Sequence, residues 1–524
     1  MSGVVCRAAS VALTGLEGTT VMVESAVSQQ LPGIAIIGLP DTALAEAKLR
    51  VRTATAQVGL PLSDRFHTIN LSPASLPKHG SGFDLAIALA ALAASRHLPP
   101  EGLESVAHLG ELALDGGLRR PAGLLSLASA ARALGFRRVM VPEECGEEAA
   151  LVPGIEVVAV RDLGSAVAWY RGELDRGRIV LPGAEPSGTG ANRDGFHGTQ
   201  GAAVPDMRDV IGQPEAVEAM VIAAAGRHHL SLLGPPGAGK TLLATRLPAL
   251  LPPLTDDAAL EASSIASLGG STVTELVRHP PFESPHHTAS AVSIIGGGQG
   301  SEVRPGAITR ACHGVLFLDE APEFPRMVLD ALRQPLETGR IEIHRSRLRT
   351  VLPARVQLVL AANPCPCGNA GSPDTALRCR CTPRARTSYQ QRISGPLSDR
   401  IDVRLTLHRV SRVLLEEPEE HRPSSEELQA RVIAARASAA ERWRGARWSV
   451  NADVPGTSLR SGPFQLPRGD TAVLDQALAR GALTLRGYDR ALRVAWTIAD
   501  LAGRDRPRRA EVAQALVLRG GDFG

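Results

Sequence analysis

Lysine is nearly absent from this chain: Lys48, Lys78 and Lys240 stand against 54 arginines in 524 residues. Where arginine replaces lysine almost everywhere, a surviving lysine marks a place that needs a compact ammonium on a flexible stem. Aromatic residues are scarce too, at 3%. That excludes the aromatic stacking platforms which grip single strands, and it leaves the cores to Val, Leu, Ile and Ala. Seven cysteines without a secretory leader argue against a disulfide framework and for a reducing compartment. No run reaches the ~18 apolar residues of a membrane span; Leu85 to Ala94 is the nearest, and it is short and Ala-rich. A formal net charge of +3 excludes a polycation that coats nucleic acid with its whole surface. The expectation is a soluble cytoplasmic protein with no membrane partner, whose nucleic-acid contacts, if any, are local.

What is present is enough chain for three or four domains. Residues 1–181 alternate short β-branched runs with helical stretches such as Asp41–Val58 and Phe83–Ala94, a mixed α/β pattern. Residues 182–205 lose apolar periodicity to Gly, Pro, Ser and Thr, and read as a linker. Residues 206–409 carry the apolar strands HLSLLG, GVLFLDE and VQLVLAAN between helical segments, the sign of a parallel sheet. Residues 410–524 read as helical, with helices over Ser424–Trp443, Asp470–Arg480, Thr484–Ala502 and Pro507–Leu518, the last capped by Asp505.

The chemistry concentrates in the third region. Gly234, Pro235, Pro236, Gly237, Ala238, Gly239, Lys240 and Thr241 fit G-x-x-x-x-G-K-[ST] between a strand and a helix. In such a loop backbone N–H groups close around phosphate, Lys240 bridges the outer phosphates of ATP and Thr241 ligates Mg²⁺. The strand GVLFL ends in Asp319 and Glu320, suited to holding Mg²⁺ and to polarising the attacking water. A third strand delivers Asn363, which can sense the γ-phosphate or simply cap the loop before Pro364.

Four cysteines, Cys365, Cys367, Cys379 and Cys381, form two close pairs that can hold a structural Zn²⁺, with four reduced thiols as the alternative. Cys6, Cys145 and Cys312 are isolated and read as small core residues. Thr338–Arg355 reads as a hairpin with His344, Arg345, Arg347 and Arg349 near its tip. Those side chains suit phosphate contact; at this arginine abundance a solvated face is the competing reading.

The runs Gly234–Thr241, VRPGAITRACHGVLFLDEAPEF, VLAANPCPCG and Tyr389–Asp402 together resemble the magnesium-chelatase-like AAA+ ATPases of the ComM/YifB group. The flanking GLEGTTVMVES, IIGLPDTALAEAKLRV and LGELALDGGLRRPAG resemble that group's Lon-peptidase-like (ribosomal S5 domain 2-like) α+β domain, and LRGYDRALRVAWTIADLAG its C-terminal helical lid. The resemblance implies a P-loop α/β core working in a hexameric ring on single-stranded or branched DNA, as a branch-migration helicase in recombination and transformation. It implies an arginine finger at Arg400 and a sensor-II arginine at Arg490, with Arg486 and Arg493 as rivals. It also implies that the hairpin points into a central pore. Two other activities compete: the motor of a magnesium chelatase, and a Lon-like protease. The second is disfavoured because Gly82 occupies the nucleophile's place and Ser81 is one position out of register. The motif Pro77–Leu85 leaves Lys78 as a possible phosphate contact, and Lys48 reads as an exposed helix residue.

Overall fold

The computed structural model describes residues 5–38, 41–62, 65–73, 82–173, 178–180, 205–298, 304–345, 348–370, 376–409 and 422–520. All but the last residue of the expected linker, and both Lys78 and Ser81, lie outside that set.

A mixed eight-stranded sheet organises the N-terminal third. Its order is Arg178–Val180, Glu156–Val160, Arg138–Pro142, Val106–His108, Cys6–Thr14, Glu17–Ser28, Phe66–Ser72, Gly33–Ile37. Thr14 pairs with Glu17 across a two-residue turn, and the left-handed Gly15 makes that turn possible. The Ala-rich helix Asp84–Ala94 is buried from Asp84 through Ala93. An apolar helix of this length is a core helix rather than a span, and among the described residues no helix is long and apolar enough to cross a membrane.

The second sheet is parallel throughout, in the order Phe282–Glu283, Val315–Leu318, Gln357–Ala362, Leu230–Leu233, Val403–Thr406. Its three central strands are the apolar runs visible in the sequence. The two edges escape periodicity: one is a two-residue strand, the other is the half-polar VRLT. Leu230–Leu233 sits where the strand order reverses, the position at which open α/β sheets bind ligands beyond their C-terminal ends.

The C-terminal helices Ser425–Arg442, Arg468–Ala479, Leu485–Leu501 and Arg509–Leu518 pack on this core. A capping box between Ser424 and Glu427 starts the first. The last begins later than the sequence reading placed it. Arg508, not Asp505, is the cap residue, because Glu511 accepts the Arg508 N–H with one oxygen and Arg504 with the other. Three of the few aromatics gather here: Trp443, Phe464 and Trp496 form one cluster, and the Arg442 guanidinium lies 4.5 Å over the Trp496 ring while pairing with buried Asp500.

The two sheets are joined through helix Asp256–Leu268. Arg120 grips Glu148 with two bonds of 2.9 Å and also donates to the Ser271 carbonyl; Ser126 donates to the Ser264 carbonyl at 2.8 Å. A Cβ on Gly15 would come within 2.9 Å of the Val351 carbonyl, so the first hairpin of the chain braces the strand Leu348–Pro353.

Candidate nucleotide site

The loop Gly234–Lys240 leaves its strand at the C-terminal edge of the sheet and runs directly into helix Lys240–Leu250. Gly237 and Gly239 are left-handed, with φ of 78° and 86°. A Cβ on Gly234 would sit 2.8 Å from the Leu407 carbonyl, so glycine is required there by close approach. Lys240 is buried and folds back over the loop, its Nζ donating to the carbonyls of Gly234 (2.7 Å) and Pro235 (3.1 Å) and to Oδ1 of Asn363 (3.0 Å). Burial lowers the Lys240 pKa from its usual value, opposed by Asp319 and Glu320. Thr241 Oγ1 donates to Asp319 Oδ2 at 2.8 Å. Residues from three adjacent strand ends therefore meet at one point, as parallel pairing of Val315–Leu318, Gln357–Ala362 and Leu230–Leu233 requires. A lone ammonium beside a hydroxyl–carboxylate pair can hold a triphosphate and its Mg²⁺. Beside the loop a cavity of about 190 Å³ opens between Val210, Gly212, Gln213, Val217 and Leu428. Gln213 donates to the Ala238 carbonyl at 3.0 Å and fixes this cavity to the loop.

Glu320 adopts φ 51°, a left-handed backbone that non-glycine residues rarely take. This turns its side chain out of line with the strand and towards His287, whose Nδ1 lies 3.3 Å from Glu320 Oε2. His287 is held in turn: its ring lies tilted against that of His286 with centroids 4.0 Å apart, His286 bonds Thr288 Oγ1 at 2.9 Å, and Phe324 meets His287 edge-on. Sequence reasoning missed His287. The signal available was the pair of histidines in SPHHT, but the strand that carries them beside Val315–Leu318 is only two residues long.

The cysteine cluster abuts the site. Sγ separations are 3.4 Å (Cys365–Cys367), 3.7 Å (Cys365–Cys379) and 3.5 Å (Cys367–Cys379), and Cys381 lies within the same group. Four sulfurs at ~2.3 Å around a tetrahedral Zn²⁺ stand about 3.8 Å apart, so the donor set fits that ion. A Cβ on Gly368, next to Cys367 in the turn after Asn363, would meet Pro236 of the phosphate loop at 2.6 Å. The turn and the loop are thus in direct contact.

Arg400 and Arg490 are not brought to the phosphate loop. Arg490 Nη1 reaches Asp402 Oδ1 (2.5 Å) and the Arg400 carbonyl (2.8 Å), and Asp402 sits beside His229 at the start of its strand. Five residues of strand, about 16 Å at 3.3 Å each, separate that end from Gly234. Burial raises the pKa of Asp402, but Arg490 and His228 outweigh it and hold the carboxylate well below its usual range. In this chain Arg490 fastens the helix Leu485–Leu501 to the sheet. Arg400 is 7% exposed, with Nη2 2.5 Å from Glu337 and Nη1 on the Pro396 carbonyl. Arg486 approaches the same Glu337 oxygen at 3.7 Å, and Arg493 is half-buried. In the hairpin Arg340–Arg345 and Leu348–Pro353, Arg349 pairs with Glu342 at 2.9 Å; the side chains of His344, Arg345 and Arg347 lie outside the described residues. Within 4 Å a Cβ on Gly82 would meet only Pro121, so no described lysine or serine side chain stands against that position.

Comparison with known proteins places the chain in a family. Residues 206–415 match the family model described as magnesium chelatase, subunit ChlI; residues 23–145 match subunit ChlI of Mg-chelatase, and 422–519 its C-terminal part. An uncharacterized protein of Mycobacterium tuberculosis is 44% identical over 516 residues, 98% of each chain. YifB of Escherichia coli K12 is 38% identical over 511 residues, covering 97% of this chain and 96% of its own. Competence protein ComM of Haemophilus influenzae is 36% identical over 509 residues, 96% and 95%. With the likeness running nearly end to end, the chain belongs to the magnesium-chelatase-like family of ComM and YifB, whose members are generally AAA+-like ATPases.

Proposed function

We propose that this protein is an ATP-driven ring motor that moves on single-stranded or branched DNA, a hexameric branch-migration helicase of recombination and transformation. The observation that carries the ATPase half is the junction of Lys240, Thr241, Asp319 and Asn363 at three strand ends. Lys240 and the loop amides hold the phosphates, Thr241 and Asp319 hold Mg²⁺, Glu320 polarises the water and Asn363 orients it. The adenine occupies the cavity lined by Val210, Gly212 and Gln213. Support for the DNA half comes from the likeness to a competence protein and from the arginine-bearing hairpin braced by the N-terminal sheet. A ring multiplies that hairpin into a collar of phosphate contacts. The test is ATP turnover with and without forked or three-stranded DNA, read beside the assembly's mass in ATP. Stimulation of at least several-fold that fades with salt is expected; turnover indifferent to DNA at every salt concentration sinks the reading. The family descriptions support a second reading, a chelatase motor, for which ATP-dependent Mg²⁺ insertion into a tetrapyrrole with partner subunits is decisive.

His287 positions Glu320 in this scheme. Because its ring contacts Glu320 and not the phosphate loop, His287→Ala is expected to lower kcat about tenfold with little change in KM for ATP, and His287→Asn to restore part of it. A rise in KM alone contradicts that role.

Zn²⁺ in the four-cysteine knuckle keeps Asn363 and Pro236 in place, since the knuckle follows Asn363 by one residue and packs on Pro236. Cys365→Ser with Cys379→Ser should remove one zinc per chain and lower the melting temperature, because structural zinc contributes directly to folding. Unchanged zinc content rules the site out.

A further inference from the structure

Three cysteines stand outside the knuckle. Cys6 and Cys145 are packed into hydrophobic clusters, as small core residues are. Cys312 is just as buried, at 0%, yet it belongs to no apolar cluster among the described residues. Its sulfur faces polar groups: Cys312 Sγ, a ring nitrogen of His313 and a carboxylate oxygen of Glu261 lie within 4.8 Å of one another.

These groups come from two distant segments. Glu261 projects from helix Asp256–Leu268, and Cys312–His313 ends the turn before strand Val315–Leu318. His313 is left-handed, φ 64°, with its N–H fixed by the Arg355 carbonyl at 2.9 Å. Such a backbone is strained in a non-glycine residue. It aims the side chain away from the path of the strand, so that Nε2 meets Glu261 Oε2. An ion pair between His313 and Glu261 accounts for two of the three groups. The Cys312 thiol is turned to the same point and bonds the His313 side chain, so all three groups converge where an apolar residue would otherwise fill a fully buried position.

We propose that Glu261, Cys312 and His313 form a second metal site, for a thiophilic divalent ion such as Zn²⁺. Thiolate, imidazole and carboxylate are the donors that ion takes, and three of them leave its fourth position to water. The side chains of His313 and Glu261 are 15% and 30% exposed, which gives water that access. The ion ties the start of strand Val315–Leu318 to the helix whose Ser264 and Ser267 hold helix Leu124–Ala133 of the N-terminal region. One end of that strand is then fixed by metal while the other carries Asp319 and Glu320.

The test is the metal content of the full-length protein purified without chelator, with Zn²⁺ or Co²⁺ as the probe. Two zinc ions per chain are expected, falling to one in Cys312→Ala and to one in Cys367→Ser with Cys381→Ser. Glu261→Gln should weaken only the ion that Cys312→Ala removes. A wild-type count of one that disappears with the knuckle cysteines overturns the second site; a count of one that disappears with Cys312 overturns the knuckle instead. Should Cys312→Ala fail to fold, loss of a single Co²⁺–thiolate absorption in His313→Gln reads the same site, and full retention of both ions there overturns it.

Discussion

Glu320→Gln is expected to cut ATP turnover by roughly 10²–10⁴-fold, the usual worth of a positioned general base, while ATP still binds. Gln keeps the size of Glu and its contact with His287, and loses only the ability to polarise and deprotonate water. The groups that hold nucleotide are elsewhere: Lys240 is fixed by the Gly234 and Pro235 carbonyls and by Asn363, and the Mg²⁺ pair is Thr241 with Asp319. None of these bonds involves the Glu320 side chain. The measurement pairs steady-state turnover with fluorescent ATP-analogue binding on the same preparation. Loss of both would place Glu320 in binding rather than chemistry, and unchanged turnover would remove it from the reaction altogether. His287→Ala should fall in the same direction by a smaller factor, since it acts only through Glu320.

The contrast between Glu320 and His287 shows what a sequence carries at short range. The phosphate loop was legible because its meaning lies in eight consecutive residues with a strand before and a helix after. Asp319 and Glu320 were legible because they terminate an apolar strand. His287 depends on sheet order: it reaches Glu320 only because Phe282–Glu283 pairs beside Val315–Leu318, and two residues give no periodic signal. The start of the last helix was displaced for a similar reason, a side chain six residues beyond Asp505: Glu511 satisfies Arg508 and Arg504 together, which no propensity of Asp505 reveals. Aromatic scarcity correctly indicated aliphatic cores in the sheets. It gave no hint that Trp443, Phe464 and Trp496 would be spent together where the C-terminal helices pack. Lysine scarcity pointed to Lys240, which makes three hydrogen bonds at the meeting of the strand ends.

Arg400→Ala should abolish turnover more completely still, by about 10³–10⁵-fold, if its guanidinium neutralises charge on a transferring phosphoryl group. Geometry decides whose phosphate that is. Arg400 lies two residues before Asp402, at the end of the strand opposite the phosphate loop, so it cannot reach the nucleotide of its own chain. It can act only in a neighbour. Before it does so it must leave Glu337, which it pairs with at 2.5 Å and which Arg486 of helix Leu485–Leu501 also approaches. The Arg400 carbonyl is bound from the same helix by Arg490. On the proposed role of Arg400, any movement of that helix and release of the Arg400 guanidinium would be linked through Glu337. The consequence is complementation: Arg400→Ala has an intact phosphate loop, and Lys240→Ala has an intact finger. Each is inactive alone. Mixed in equal amounts under assembly conditions, they should recover a fraction of wild-type turnover at sites where a Lys240→Ala subunit serves an Arg400→Ala neighbour. A mixture as silent as its components, from rings shown to exchange subunits, removes Arg400 from the reaction. Glu337→Gln supplies the opposite sign, because weakening the pair that holds the guanidinium should raise basal turnover in the assembled ring and leave the isolated chain unchanged.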